Sequence, residues 1–227
     1  MTPAASSQSI ARHHLAASLG FLIVGVLMLA IASVQYVAPD ALSGWPPISY
    51  GRLRPAAIHF LLYGWLTLGL LGAIYYAAPR LSGAKLVDPG VARIGLVLTS
   101  VGYAVGGIAI LAGQGEAVRY LEAPPVADII VLLGLGAMAH SVARTIARGG
   151  PKGKSPAEWF MLTAVLSLVG LHFIGNLSML SLLATLFWSQ PPVLHGINSA
   201  LVAGFYRAGI IGLWGATAGV GVVYFLV

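Results

Sequence analysis

An ionisable side chain inside an apolar, membrane-length run is costly unless it is paired or coordinated, so each one marks a candidate site. This sequence has few of them: His59, His172 and His195, with Arg52, Arg54 and Arg207, stand in or beside long apolar runs. His59 comes about four residues into the second run, roughly 6 Å deep at the helical rise. His172 comes about 15 residues into the fifth, from the opposite side, roughly 22 Å up. Against a hydrocarbon core of about 30 Å, both fall in the same outer third. A haem iron takes two imidazoles from facing helices, and its propionates suit arginines near the surface. The pattern therefore predicts a bis-histidine haem b site on His59 and His172. His195 is the substitute ligand, and Arg52 and Arg54 stand beside the propionates. Asn176 shares the helix face of His172, four residues on.

A simpler alternative stays open, in which each histidine hydrogen-bonds a backbone carbonyl or a serine on a neighbouring helix. Arg207 sits well inside the sixth run, with no acidic residue in any span core. Asp128 is its nearest candidate partner; a haem propionate, or snorkelling to the interface, would serve as well. His140, with His13 and His14 before the first run, can be read as an inner cofactor site or, more simply, as solvated residues at a boundary.

The elements that must position these residues follow from composition. Hydrophobic residues make up 58% of the 227 and charged residues 8%, whereas a soluble domain carries about a quarter charged. Lipid is therefore the solvent, and the sequence predicts an all-α, polytopic membrane protein. Spans are expected near 15–38, 56–78, 90–113, 125–147, 157–187 and 200–227, each long enough to cross a bilayer. Prolines such as Pro39, Pro79, Pro89 and the pair Pro124–Pro125 punctuate their ends. Zero cysteines exclude iron–sulfur and thiolate metal sites. The net charge of +6 resides in loops, so nucleic acid is not expected as a partner.

Arg12, Arg80, Lys85, Arg93, Arg144, Arg148, Lys152 and Lys154 all fall on one side of this arrangement. The positive-inside rule makes that side, with both termini, cytoplasmic. The expected location is the bacterial inner membrane, and no cleavable signal peptide is expected. Trp45, Trp159 and Trp188 lie near predicted interfaces. A weak internal repeat relates Gly72-Ala-Ile-Tyr75-Tyr76 to Gly221-Val-Val-Tyr224-Phe225. The span glycines read as close-packing positions.

Four motifs in order carry a family resemblance. Tyr50-Gly-Arg-Leu-Arg-Pro55, leading to Tyr75-Tyr76, resembles the second-helix entry of subunit I of the heme–copper oxidases, most of all the C-type, or cytochrome cbb-three, branch. Tyr120-Leu-Glu-Ala-Pro-Pro-Val-Ala-Asp128 resembles its fourth-helix entry, and Trp159-Phe160 with Leu171-His172-Phe-Ile-Gly-Asn176 its fifth helix. Gly204-Phe-Tyr206 through Tyr224-Phe225 resembles its sixth. The resemblance implies the first, six-helix half of a haem-bearing oxygen- or nitric-oxide-reducing subunit. It also implies two losses: the low-spin haem histidine falls on Ala57, with His59 about 200° around the helix, and the copper histidine falls on Ala208. No copper is expected.

Three functions are thus open. The first is a haem-b-binding electron-transfer subunit working with membrane or periplasmic redox partners such as a c-type cytochrome. The second is part of a split oxidase or nitric oxide reductase, and the third is a cofactor-free anchor or assembly subunit.

Overall fold

In the computed structural model, residues 3–42, 44–116, 118, 120–150, 154–177 and 196–227 are described. Six helices dominate them: α1 (Pro3–Val37), α2 (Tyr50–Ser82), α3 (Pro89–Ala112), α4 (Pro125–Ala147), α5 (Pro156–Gly175) and α6 (Gly196–Leu226). All six are long and apolar enough to cross a membrane, and no strand occurs among the described residues. The chain is a polytopic all-α membrane protein.

Local chemistry sets the ends. Proline opens α3, α4 and α5, where its missing N–H is no loss and its fixed φ suits the first turn. Ser155 and Glu158 form a reciprocal capping box ahead of α5. Gly83 and Gly113 end α2 and α3 at φ +65° and +82°, a left-handed region that favours glycine.

Several boundaries differ from the sequence expectation: α2 runs Tyr50–Ser82 and so takes in Arg52 and Arg54, α6 starts at Gly196, and the starts and ends of α1 and α5 shift further. α1 starts well before residue 15, so His13 and His14 lie within the helix. His14 is fully buried rather than solvated, because it packs on Gly72 of α2, where a Cβ would come 3.1 Å from that of His14. α5 ends at Gly175, with Asn176 as its C-cap. Predicted span residues 178–187, Trp188 and His195 lie outside the described residues.

α2 is the centre of the bundle and touches all five other helices, whereas α1 is the least buried. The most extensive interface is between α1 and α2, and α3 and α4 also pack over a long face. Their backbones meet at glycines: a Cβ on Gly134 would lie 2.9 Å from the Gly95 carbonyl oxygen, and one on Gly95 would lie 2.9 Å from that of Gly134. Close backbone approach of this kind is how helices associate where lipid removes the hydrophobic drive between them.

α2 and α6 each contain a π-helical stretch, at Phe60–Thr67 and Ile210–Ala216. The register that sets Gly72 on Gly221 also sets Trp65 on Trp214 and brings the two stretches to within a residue of each other, extending the internal repeat. Hydroxyls serve the loosened carbonyls in both. In α2, Thr67 Oγ1 donates to Leu62 O at 3.1 Å and Ser18 Oγ to Trp65 O at 2.8 Å. In α6, Thr217 Oγ1 donates to Gly212 O at 3.1 Å and Ser167 Oγ to Leu213 O at 2.8 Å. The Trp214 indole N–H reaches Thr67 Oγ1 at 3.3 Å, joining the two stretches. Such bulges recur at functional sites.

Candidate functional site

His59 on α2 and His172 on α5 line one cavity at the end of the bundle away from the N-terminus, together with Tyr63, Tyr103, Tyr206, Asp128 and Asn176. Counting depth along the sequence sets the two histidines level, and the fold brings them to the same site.

Each ring is already engaged. His59 Nε2 lies 3.1 Å from the Tyr103 carbonyl oxygen on α3. His172 Nε2 lies 3.1 Å from the Asp128 carbonyl oxygen on α4 and 3.9 Å from its carboxylate. A carbonyl only accepts, so each Nε2 carries the proton. Asn176 Nδ2 then donates to His172 Nδ1 at 3.3 Å and to the His172 carbonyl at 3.0 Å. Both nitrogens of His172 are occupied, and Asn176 holds its tautomer.

Tyrosines close the rest. The Tyr206 hydroxyl donates to that of Tyr63 at 2.9 Å, and Tyr63 in turn donates to the Tyr120 carbonyl. Tyr120 presents that oxygen from a backbone at φ +69°. Tyr63 and Tyr103 stack at 5.8 Å between ring centres, and the His59 ring stands edge-on to both. The cavity measures about 10 Å³, room for roughly one water.

A haem needs a pocket on the order of several hundred Å³. As packed, the His59–His172 site does not fit one, and each Nε2 is turned to a main-chain oxygen instead of an open position. In this arrangement both rings tie neighbouring helices together through main-chain oxygens.

The arginines also differ from expectation. Arg52 Nη1 donates to the Leu111 carbonyl at 3.2 Å, so it caps the C-terminal end of α3, where a cation complements the helix dipole. Arg52→Ala is expected to cost about 1 kcal/mol, read as an earlier unfolding midpoint in detergent. Arg54 is half-buried at the start of α2, with no ion pair among the described residues. Arg207 does not pair with Asp128, which faces His172 instead. It is exposed beside an apolar groove of about 280 Å³ lined by Ile58, Leu61, Leu62, Trp65, Ile210 and Ile211. At the opposite end of the bundle, His140 stands 3.5 Å from Asp88, both half-exposed.

The six-helix fold with a buried His–Tyr–Asp cluster thus defines an integral membrane protein that keeps polar side chains at fixed depth. The family model described as Cytochrome C and Quinol oxidase polypeptide I matches residues 9–227, and the chain belongs to that family. It is 22% identical to a cytochrome c oxidase subunit 1 homolog of Agrobacterium tumefaciens, over 90% of this chain and 38% of that one. It is 29% identical to a nitric oxide reductase subunit of Stutzerimonas stutzeri, over 71% of this chain and 36% of that protein. It is 23% identical to the Cbb3-type cytochrome c oxidase subunit CcoN1 of the same organism, over 100% of this chain and 47% of the relative. The chain spans less than half the length of these relatives.

Proposed function

We propose that this chain is a cofactor-free membrane subunit of a redox complex, an oxidase-family helix bundle that anchors or assembles its partners. The observation that carries this reading is the closure of the His59–His172 cluster, with each Nε2 on a backbone carbonyl around a space for about one water. Ala57 and Ala208, where the family resemblance expects metal-ligating histidines, agree with it. The partners in this reading are membrane or periplasmic redox subunits such as a c-type cytochrome. The location is the bacterial inner membrane with both termini cytoplasmic, which the distribution of Lys and Arg supports.

Family membership favours one second reading, a haem b electron-transfer subunit, which requires α2 and α5 to part and both rings to leave their carbonyls. A reduced-minus-oxidised spectrum of the purified chain separates the two. The expected spectrum has no b-type α-band, and the partner complex keeps its activity when His59 and His172 are both replaced by glutamine. A haem band that disappears with either substitution would instead establish the electron-transfer reading.

A further inference from the structure

Cations gather at the N-terminal end of the bundle around an open apolar groove. Arg80 stands in the last turn of α2, where an arginine ordinarily snorkels outward to water. Its guanidinium instead folds back over the Tyr76 ring, 3.5 Å from the ring centre, and Nη1 donates to the Tyr76 carbonyl at 2.6 Å. Complementing the end of α2 accounts for that one bond. A guanidinium carries five N–H donors, so the charge is held in place with donors to spare.

Tyr76 is also part of the wall of a groove of about 410 Å³ that runs between α1 and α6 over α2. Leu15, Gly72, Ala73, Val222 and Phe225 make its lining apolar, and exposed Arg12 of α1 lines it as well. Ser7 lies four residues before Ala11 of this groove, and Arg80 four after Tyr76, so both continue the same helix faces. Together with Lys85 they line a second hollow, of about 260 Å³. Neither lining contains an aspartate or glutamate, and none of the ion pairs among the described residues involves Arg12, Arg80 or Lys85.

The two hollows ask for different halves of one ligand. A free anion would satisfy the arginines and leave the groove unused, and an apolar chain alone would have no use for three cations. At a bilayer surface, a basic hollow between membrane helices recognises an anionic lipid headgroup. We propose that this site holds one anionic phospholipid, with an acyl chain in the groove between α1, α2 and α6 and the phosphate among Arg12, Arg80 and Lys85.

The test offers the purified full chain in detergent equal amounts of phosphatidylglycerol and phosphatidylcholine, and native mass spectrometry reads the lipid retained. One phosphatidylglycerol per chain is expected, retained about tenfold over phosphatidylcholine. That preference should vanish when Arg12→Gln and Arg80→Gln are combined, and persist in Arg148→Gln, which removes an exposed cation outside both linings. Ala73→Trp fills the groove and should release the lipid with all three cations still present. Equal retention of the two lipids overturns the proposal, as does an equal loss in Arg148→Gln. Retention unchanged by Ala73→Trp, displacement by inorganic phosphate, or a dimer of the chain in place of the lipid adduct also overturns it. Circular dichroism checks the fold of each variant. Should they not fold, the unmodified chain is photolabelled with phosphatidylglycerol carrying a diazirine in one acyl chain. Adducts on the groove residues of α1, α2 and α6 support the site, and adducts elsewhere, or none, refute it.

Discussion

Alanine at Gly134 is expected to cost about 3 kcal/mol, the upper range for forcing an extra carbon into a packed interior. The added Cβ would lie 2.7 Å from the Thr99 nitrogen and 2.9 Å from the Gly95 carbonyl oxygen. Both are backbone atoms, so no rotamer change relieves the contact and α3 must move off α4. The same helix supplies its own control. Gly136 has nothing within 4 Å of an added Cβ, so Gly136→Ala should stabilise by about 0.5–1 kcal/mol through helix propensity alone. Denaturant titration of both variants in one detergent measures the contrast. Equal midpoints would mean that the glycine contact does not hold α3 to α4.

His172→Ala is the second large effect, expected at about 3–4 kcal/mol. The ring leaves a cavity, and the Asp128 carbonyl and the Asn176 amide each lose a partner in a water-poor interior. Because Asn176 acts through the same ring, Asn176→Ala should add little once His172 is gone. The shortfall from additivity measures their coupling. A loss under 1 kcal/mol for His172→Ala, or full additivity of the pair, would show that the ring does not tie α4 to α5.

Hydropathy makes the six spans legible, and it misjudges one N-terminus for a physical reason. Ser7, Gln8, Arg12, His13 and His14 lower the local hydropathy, yet Ser7 and His14 are buried against the bundle while Gln8, Arg12 and His13 face outward. Burial of His14 depends on Gly72, fifty-eight positions away, which no local pattern reveals. His59 and His172 are readable as a pair because depth follows from counting residues along two helices. Their partners are not readable, since the carbonyls of Tyr103 and Asp128 belong to helices whose rotation is fixed only by packing. Spacing sets Asn176 beside His172 on the face of a continuing helix, whereas the residue caps the helix end. Arg207 is conspicuous in the sequence, and the fold leaves it at a groove without an ion-pair partner among the described residues.

The π-helical stretches have a consequence for how this chain tolerates changes in length. A π turn holds one residue more than the α turn it replaces. Deleting a residue elsewhere in a span swings every later side chain by about 100°, turning core positions such as Ile74 and Tyr75 toward lipid. Within Phe60–Thr67 or Ile210–Ala216, the same deletion converts the bulge to regular helix and leaves the downstream faces where they were. Among the described residues, these two stretches are therefore places in the membrane interior where the chain can shorten by one residue without scrambling its core.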